Sequence, residues 1–124
     1  MIDSRKLAEL AAEAADDKKA NAITLIDVEH VSSITDYFLI CSANTGVQLK
    51  AIADNIEKKL EEAGHLPLHI EGQQSARWIL LDFGVLVAHI MLEQDRDFYG
   101  LEKLWSHGKR VEWTPAPREM QGAS

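Results

Sequence analysis

Cysteine, proline and glycine are all scarce in this chain: one, three and seven in 124 residues. The lone Cys41 excludes an internal disulfide and points to a reducing compartment. No Pro- or Gly-rich linker divides the chain, and no internal repeat is present. Long apolar runs are missing as well. The most apolar uncharged stretch, Val85 to Leu92, is eight residues long and contains His89, whereas a bilayer-spanning helix needs about 20 apolar residues. Met1 to Ala15 has no apolar core of the kind a signal peptide carries. Basic charge is in deficit: 13 Lys+Arg against 20 Asp+Glu leave a net charge of −7 and a pI near 5.1. That balance argues against gripping a phosphate backbone, which requires a basic face to release counterions. It leaves protein partners open, including those within a ribonucleoprotein. The expectation is a soluble cytoplasmic (or organelle-matrix) protein, with no membrane partner and no sequence-specific nucleic-acid partner.

What is present is a globular balance. Hydrophobic residues are 46% and charged residues 27%, which excludes wholesale disorder. The length fits one domain, with a radius of gyration of about 14 Å and a body about 35 Å across. Leu7, Leu10, Ala11 and Ala14 fall at helical spacing, predicting a helix over Ser4 to Asp17 with Ser4 as its N-cap. Ala22 to Val28, rich in β-branched residues, reads as a strand, and Glu29 to Asp36 as a polar loop. Tyr37 to Cys41 is apolar throughout, as in a strand buried on both faces.

The clearest element is a helix carrying Leu49, Ile52, Ala53, Ile56, Leu60 and Ala63 on one face, capped by Asn44 or Thr45 and stopped at Gly64. Leu66, Leu68 and Ile70 form a short strand. Pro67, which cannot donate to a ladder, makes it start at Leu68 or lie at an edge. Trp78 to Phe83 and Val85 to Leu92 flank Gly84 as an antiparallel hairpin. Asp95 to Trp105 reads as a last short helix, and Ser106 to Ser124 as a flexible polar tail beyond a domain at 1–105. The order α-β-β-α-β-β-β-α favours a mixed α+β sheet with helices packed on it.

Few residues suggest chemistry. His65 and His69 would stand about 13 Å apart along a strand, too far to share a metal ion. His89, inside an apolar strand, reads as a satisfied core or interface histidine before a proton shuttle. Cys41 closes a buried strand with no base or second thiol near it in sequence, so it reads as a small hydrophobe. Ser32 and Ser33 lack a nucleophile elbow, and Asp82-Phe83-Gly84 has none of the accompanying kinase motifs. Asp36, Glu71 and Asp82 sit at strand ends, where metal-binding carboxylates often converge. No glycine-rich cradle or basic cluster accompanies them, and turn hydrogen bonding is the favoured role. The residues thus call for no catalytic group, no metal and no cofactor. Aromatic residues stand out instead. Trp78 opens a hairpin strand, and Phe98, Tyr99, Leu101, Leu104 and Trp105 crowd into the last helix. On spacing alone they are either core or interface anchors.

Several segments together resemble one family. Ser32-Ser33-Ile34-Thr35-Asp36-Tyr37-Phe38-Leu39-Ile40, Ala51-Ile52-Ala53-Asp54-Asn55-Ile56-Glu57 and Pro67 with Glu71-Gly72 all look like ribosomal silencing factor (iojap-like) sequences. So do Trp78-Ile79-Leu80-Leu81-Asp82-Phe83-Gly84 and Phe98-Tyr99-Gly100-Leu101-Glu102-Lys103-Leu104-Trp105. The similarity runs in order over about residues 4 to 105. It implies a five-stranded mixed sheet flanked by helices, similar to nucleotidyltransferases without their catalytic carboxylates. It also implies a translation repressor that binds the large ribosomal subunit, chiefly through ribosomal protein fourteen, and blocks joining of the small subunit. Trp78, Leu80, Asp82 and Met91 match the contact segment, while the 98–105 cluster matches a packing motif. Two departures border that segment: Val85 follows Gly84 where the family usually has Asp, and Ser75-Ala76-Arg77 precedes Trp78 where a Gly is frequent. From the residues alone two other readings stay open: a degenerate nucleotide-binding protein, and a homodimeric scaffold. Weak self-association of the free protein is expected from its apolar hairpin and aromatic cluster.

Overall fold

The computed structural model describes residues 3–75, 77–95 and 109–111. Helix α1 (Ser4–Asp17) begins one residue earlier than its sequence cap suggests. Asp3, not Ser4, is the N-cap, and its Oδ1 accepts the Lys6 amide at 2.8 Å. Ser4 is already in the first helical turn, where its backbone is committed to the helix. The buried stripe of α1 is Leu7 followed by Ala8, Ala11, Ala12, Ala14 and Ala15. Those small side chains let the helix lie close to the sheet. Helix α2 (Gly46–Glu62) is capped by Thr45, whose Oγ1 accepts the Gln48 amide at 3.1 Å. It ends beside Gly64, whose φ of +92° suits glycine. Gln48 donates to the Lys18 and Lys19 carbonyls, and Asn55 donates to the Ala14 carbonyl at 2.8 Å. These bonds tie the two helices into one layer.

The strands are β1 (Asn21–Asp27), β2 (Tyr37–Ala43), β3 (His69–Glu71), β4 (Trp78–Asp82), β5 (Leu86–Leu92) and β6 (Lys109–Val111). They form one mixed sheet in the order β3-β4-β5-β2-β1-β6. Only β2 and β5 run parallel; the remaining neighbours are antiparallel. The expected mixed sheet of five strands is therefore present as β1 to β5, with the hairpin in place as β4 and β5, and β6 extends it to six. Gly84 turns the hairpin at φ +89°, and the Phe83 amide donates to the Leu86 carbonyl at 2.8 Å. The short strand after α2 starts later than its alternation suggests. Leu66 and Leu68 remain 64% and 75% exposed and outside the ladder, and β3 takes the edge beyond Pro67.

Both helices cover one face of the sheet. Leu7, Leu49, Ile52, Ile56 and Leu60 meet Leu25, Leu39, Cys41, Ile79, Leu81, Leu86 and Ile90 in the main core. Burying each such side chain is worth about 1.5–3 kcal/mol. Cys41 is wholly buried in this core, consistent with its reading as a small hydrophobe. The final helix expected over Asp95 to Trp105 lies almost wholly outside the described residues, and with it Phe98, Tyr99, Leu101, Leu104 and Trp105.

The tail expected to be flexible contributes β6, which pairs with β1 through Leu25–Val111, Ile26–Arg110 and Asp27–Lys109. Val111 packs partly buried against the main core. The domain thus reaches at least Val111 instead of ending at Trp105. Three residues are too few for a periodic apolar face, which is why the sequence pattern does not mark them. Truncation after Trp105 is expected to lower the melting temperature by about 5 °C or more, roughly 1 kcal/mol for a domain of this size. Thermal unfolding by circular dichroism checks this, and an unchanged melting temperature would mean that β6 adds no stability.

Candidate functional site

Strand alternation decides which residues face away from the helices. Across the sheet the register sets out three rows on that second face. One row is Trp78, Met91 and Ser42; the next is Glu71, Leu80, His89, Ile40 and Thr24; the third is His69, Asp82, Val87, Phe38 and Ile26. The rows are not equally open. Ile26, Val28, Ile40 and Met91 form a second buried cluster, with Phe38 and Trp78 packed at its margin. On the β3–β4 side, Trp78, Leu80 and Asp82 are half-buried while His69 and Glu71 are exposed.

Three of the four residues expected to contact a partner therefore share one accessible strip: Trp78, Leu80 and Asp82. Met91 does not join them. It stands across the ladder from Trp78 but has no exposed surface. It is buried instead with Ile26, Val28 and Ile40 in the cluster on this face. Met91 packs beside Trp78 on the same face, and its burial leaves it no surface for contact.

Trp78 is held from three directions. Gly72, at φ +82°, lies so close that a Cβ there would stand 1.9 Å from the Trp78 carbonyl oxygen. Only glycine permits both that backbone conformation and that approach. Beside it, the Arg77 guanidinium donates to both Asp95 carboxylate oxygens, from Nη2 at 2.8 Å and Nε at 3.2 Å. Asp95 is buried while Arg77 remains largely exposed, and the Leu92 amide donates to the Arg77 carbonyl at 2.9 Å. A two-point ion pair of this kind fixes orientation as well as charge. It clamps the start of β4 to the end of β5. Third, the Trp78 indole Nε1–H donates to His89 Nδ1 at 3.2 Å. The His89 ring lies between the rings of Trp78 and Phe38, with a centroid separation of 5.9 Å to each.

The carboxylates do not converge. Asp82 Oδ1 accepts the Gly84 amide at 2.8 Å and so shapes the hairpin turn. Glu71 pairs with His69 at 2.8 Å on the exposed edge, and Asp36 joins the start of β2 to Val85 through its backbone. Among the described residues, no group of three His, Cys, Asp or Glu side chains is placed to hold a metal ion. Nor is any described helix long and apolar enough to cross a membrane.

Residues 1–124 match the family model described as ribosomal silencing factor during starvation. The chain belongs to this family. It is 40% identical over 104 residues to ribosomal silencing factor RsfS of Bacillus subtilis, covering 84% of this chain and 88% of that one. It is 39% identical over 111 residues to the protein of the same name from Halalkalibacterium halodurans, covering 90% and 95%. A crystal structure of a Chromobacterium violaceum protein superposes with a TM-score of 0.82 at 31% identity, covering 94% of this chain and 97% of that one. In this silencing-factor chain, the sequence pattern leaves three parts of the strip unmarked: Phe38, the Gly72 approach and the Arg77–Asp95 clamp. The register of the hairpin was the available signal, since it brings residues 77 and 95 together.

Burial lowers the pKa of His89 from 6.5 to about 4, so the ring is neutral in the folded protein near pH 7. An unfolded chain takes up that proton near pH 6.5. The resulting stability is complete above pH 6.5 and is lost as pH falls toward 4. The difference amounts to about 3 kcal/mol across that window. Urea unfolding of the wild type and His89→Leu between pH 7.5 and 4.5 should show the extra acid sensitivity in the wild type only; parallel curves would refute it.

Proposed function

We propose that this protein silences translation without chemistry of its own. It docks on the large ribosomal subunit, chiefly through ribosomal protein fourteen, and its body blocks the small subunit from joining. Family membership supports the ribosomal role, and relatives carry the name ribosomal silencing factor. The observation that carries the docking face is Trp78: a half-buried tryptophan held by Gly72, His89 and the Arg77–Asp95 clamp beside accessible Leu80 and Asp82. Tryptophans fixed in this manner are typical interface anchors. The net charge of −7 favours a protein surface over ribosomal RNA as the contact. A standard patch of about 800 Å² per partner would use a small part of the 7385 Å² surface, leaving a body wide enough to hold two subunits apart. Free protein would cover the same face by weak self-association, so each bound large subunit should carry one copy.

Trp78→Ala should weaken co-sedimentation with isolated large subunits by at least about 2 kcal/mol, roughly thirtyfold, while the circular-dichroism spectrum stays native. Wild-type binding by the folded variant would remove Trp78 from the docking face.

The order of addition separates occlusion from active splitting. A bound protein shifts an equilibrium only through its different affinities for the competing states. Added before small subunits, this protein should reduce joined ribosomes on a sucrose gradient in proportion to its occupancy. Added afterwards, it should act no faster than ribosomes dissociate on their own. Rapid splitting would overturn occlusion, and unchanged joining at saturation would overturn the function.

A further inference from the structure

We propose that His89 is the positioning residue of the docking face, its Nδ1 accepting the Trp78 indole N–H and fixing the direction in which the indole meets the partner. This rests on the reading that Trp78 docks on the large subunit. The two residues are not directly opposed. Trp78 stands opposite Met91 and His89 opposite Leu80, so His89 is the diagonal neighbour on the same face. That separation is within reach of long aromatic side chains. The indole nitrogen is a donor only, and a histidine nitrogen accepts only when it carries no proton. The bond therefore requires a neutral His89 with its proton on Nε2.

The surroundings of His89 maintain that form. Its strand neighbours on this face are Val87 and Met91, both apolar; β2 presents Phe38, Ile40 and Ser42, none of them charged. From β4 the charged group on this face is Asp82, diagonal to His89, and from β3 it is Glu71, beyond Leu80, with His69 opposite Asp82. Burial is the dominant influence on the ring, which is 8% exposed, and it disfavours protonation. Phe38 limits ring movement on the side away from Trp78. A terminal indole torsion has broad, roughly two-fold freedom. A hydrogen bond to a ring wedged between strands selects one orientation before the partner arrives, so less freedom is lost on docking.

Two substitutions separate the acceptor from the ring volume. His89→Asn places an amide oxygen close to where Nδ1 stands; His89→Leu fills the site without an acceptor. Co-sedimentation of the full-length variants with isolated large subunits should show the Asn variant within about twofold of wild type and the folded Leu variant about tenfold weaker, the order expected when one side chain loses its preorganisation. Equal weakening of both would mean that the ring itself matters and the acceptor does not, which would overturn the proposal. Wild-type binding by His89→Leu, with Trp78→Ala defective, overturns the positioning role alone. Wild-type binding by both His89→Leu and Trp78→Ala overturns the docking reading and the positioning role with it. The native protein supplies a measurement independent of variant folding. ¹⁵N spectra, with the Trp78 indole assigned by Trp78→Phe, should show His89 protonated at Nε2 and nitrogen–nitrogen coupling across the bond. A His89 protonated at Nδ1 would exclude the proposal.

Discussion

The double pairing of β5 is the constraint on which the rest of the molecule depends. It runs parallel beside β2 and antiparallel beside β4, with Ala88 aligned to both Leu39 and Leu81, and His89 aligned to both Ile40 and Leu80. These ladders sort the side chains of three strands into two sets at once. Leu39, Leu81 and Ala88 enter the core under the helices, while Ile40, Leu80 and His89 turn to the other face. A one-residue slip would exchange the sets. It would bury Asp82 beneath α2 and expose Leu81, so the core and the Trp78 face are specified by the same register.

Polar groups then hold Trp78 where that register puts it. Arg77–Asp95 restrains the backbone by closing the open end of the hairpin, while His89 restrains the indole. The two devices restrain different parts of the residue. Asp95 accepts both guanidinium bonds through its two carboxylate oxygens, whereas His89 accepts the indole N–H through a ring that burial keeps neutral. Among the described residues, no fully buried side-chain nitrogen or oxygen lacks a hydrogen-bond partner. The Trp78 face is therefore fixed without leaving an expensive orphan beneath it.

Periodic features were legible in the sequence and local exceptions were not. Helix α2 carries its apolar face over many turns, and the two runs around Gly84 announce the hairpin. Trp78, Leu80 and Asp82 share a face because strand alternation is strict. Met91 obeys the same alternation, but its burial comes from packing with Ile26, Val28 and Ile40, neighbours that no local pattern encodes. The cap at Asp3 was missed because Ser4 is an equally good cap type one residue on. Strand β6 was missed because its stability comes from β1, a partner distant in sequence. The indole–imidazole bond needed the diagonal offset between two strands, which becomes visible only once their register is known.

The charge distribution gives the proposed docking a direction. The two helices carry eight carboxylates against five basic side chains, all on the layer opposite the Trp78 face. On a particle made largely of phosphate-bearing RNA, that layer is repelled wherever it comes within about 8 Å, the screening length at physiological salt. The repulsion is weak per charge but acts against every orientation that turns the helices toward RNA. The β3–β4 strip also carries Asp82 and Glu71, but its half-buried Trp78 and Leu80 would add short-range apolar contact with protein. In the proposed docking, apolar contact at the strip and repulsion at the helix layer would favour one orientation: strip against ribosomal protein, helices outward. In that orientation the acidic layer would confront the arriving small subunit, and its charge would add to the proposed steric block.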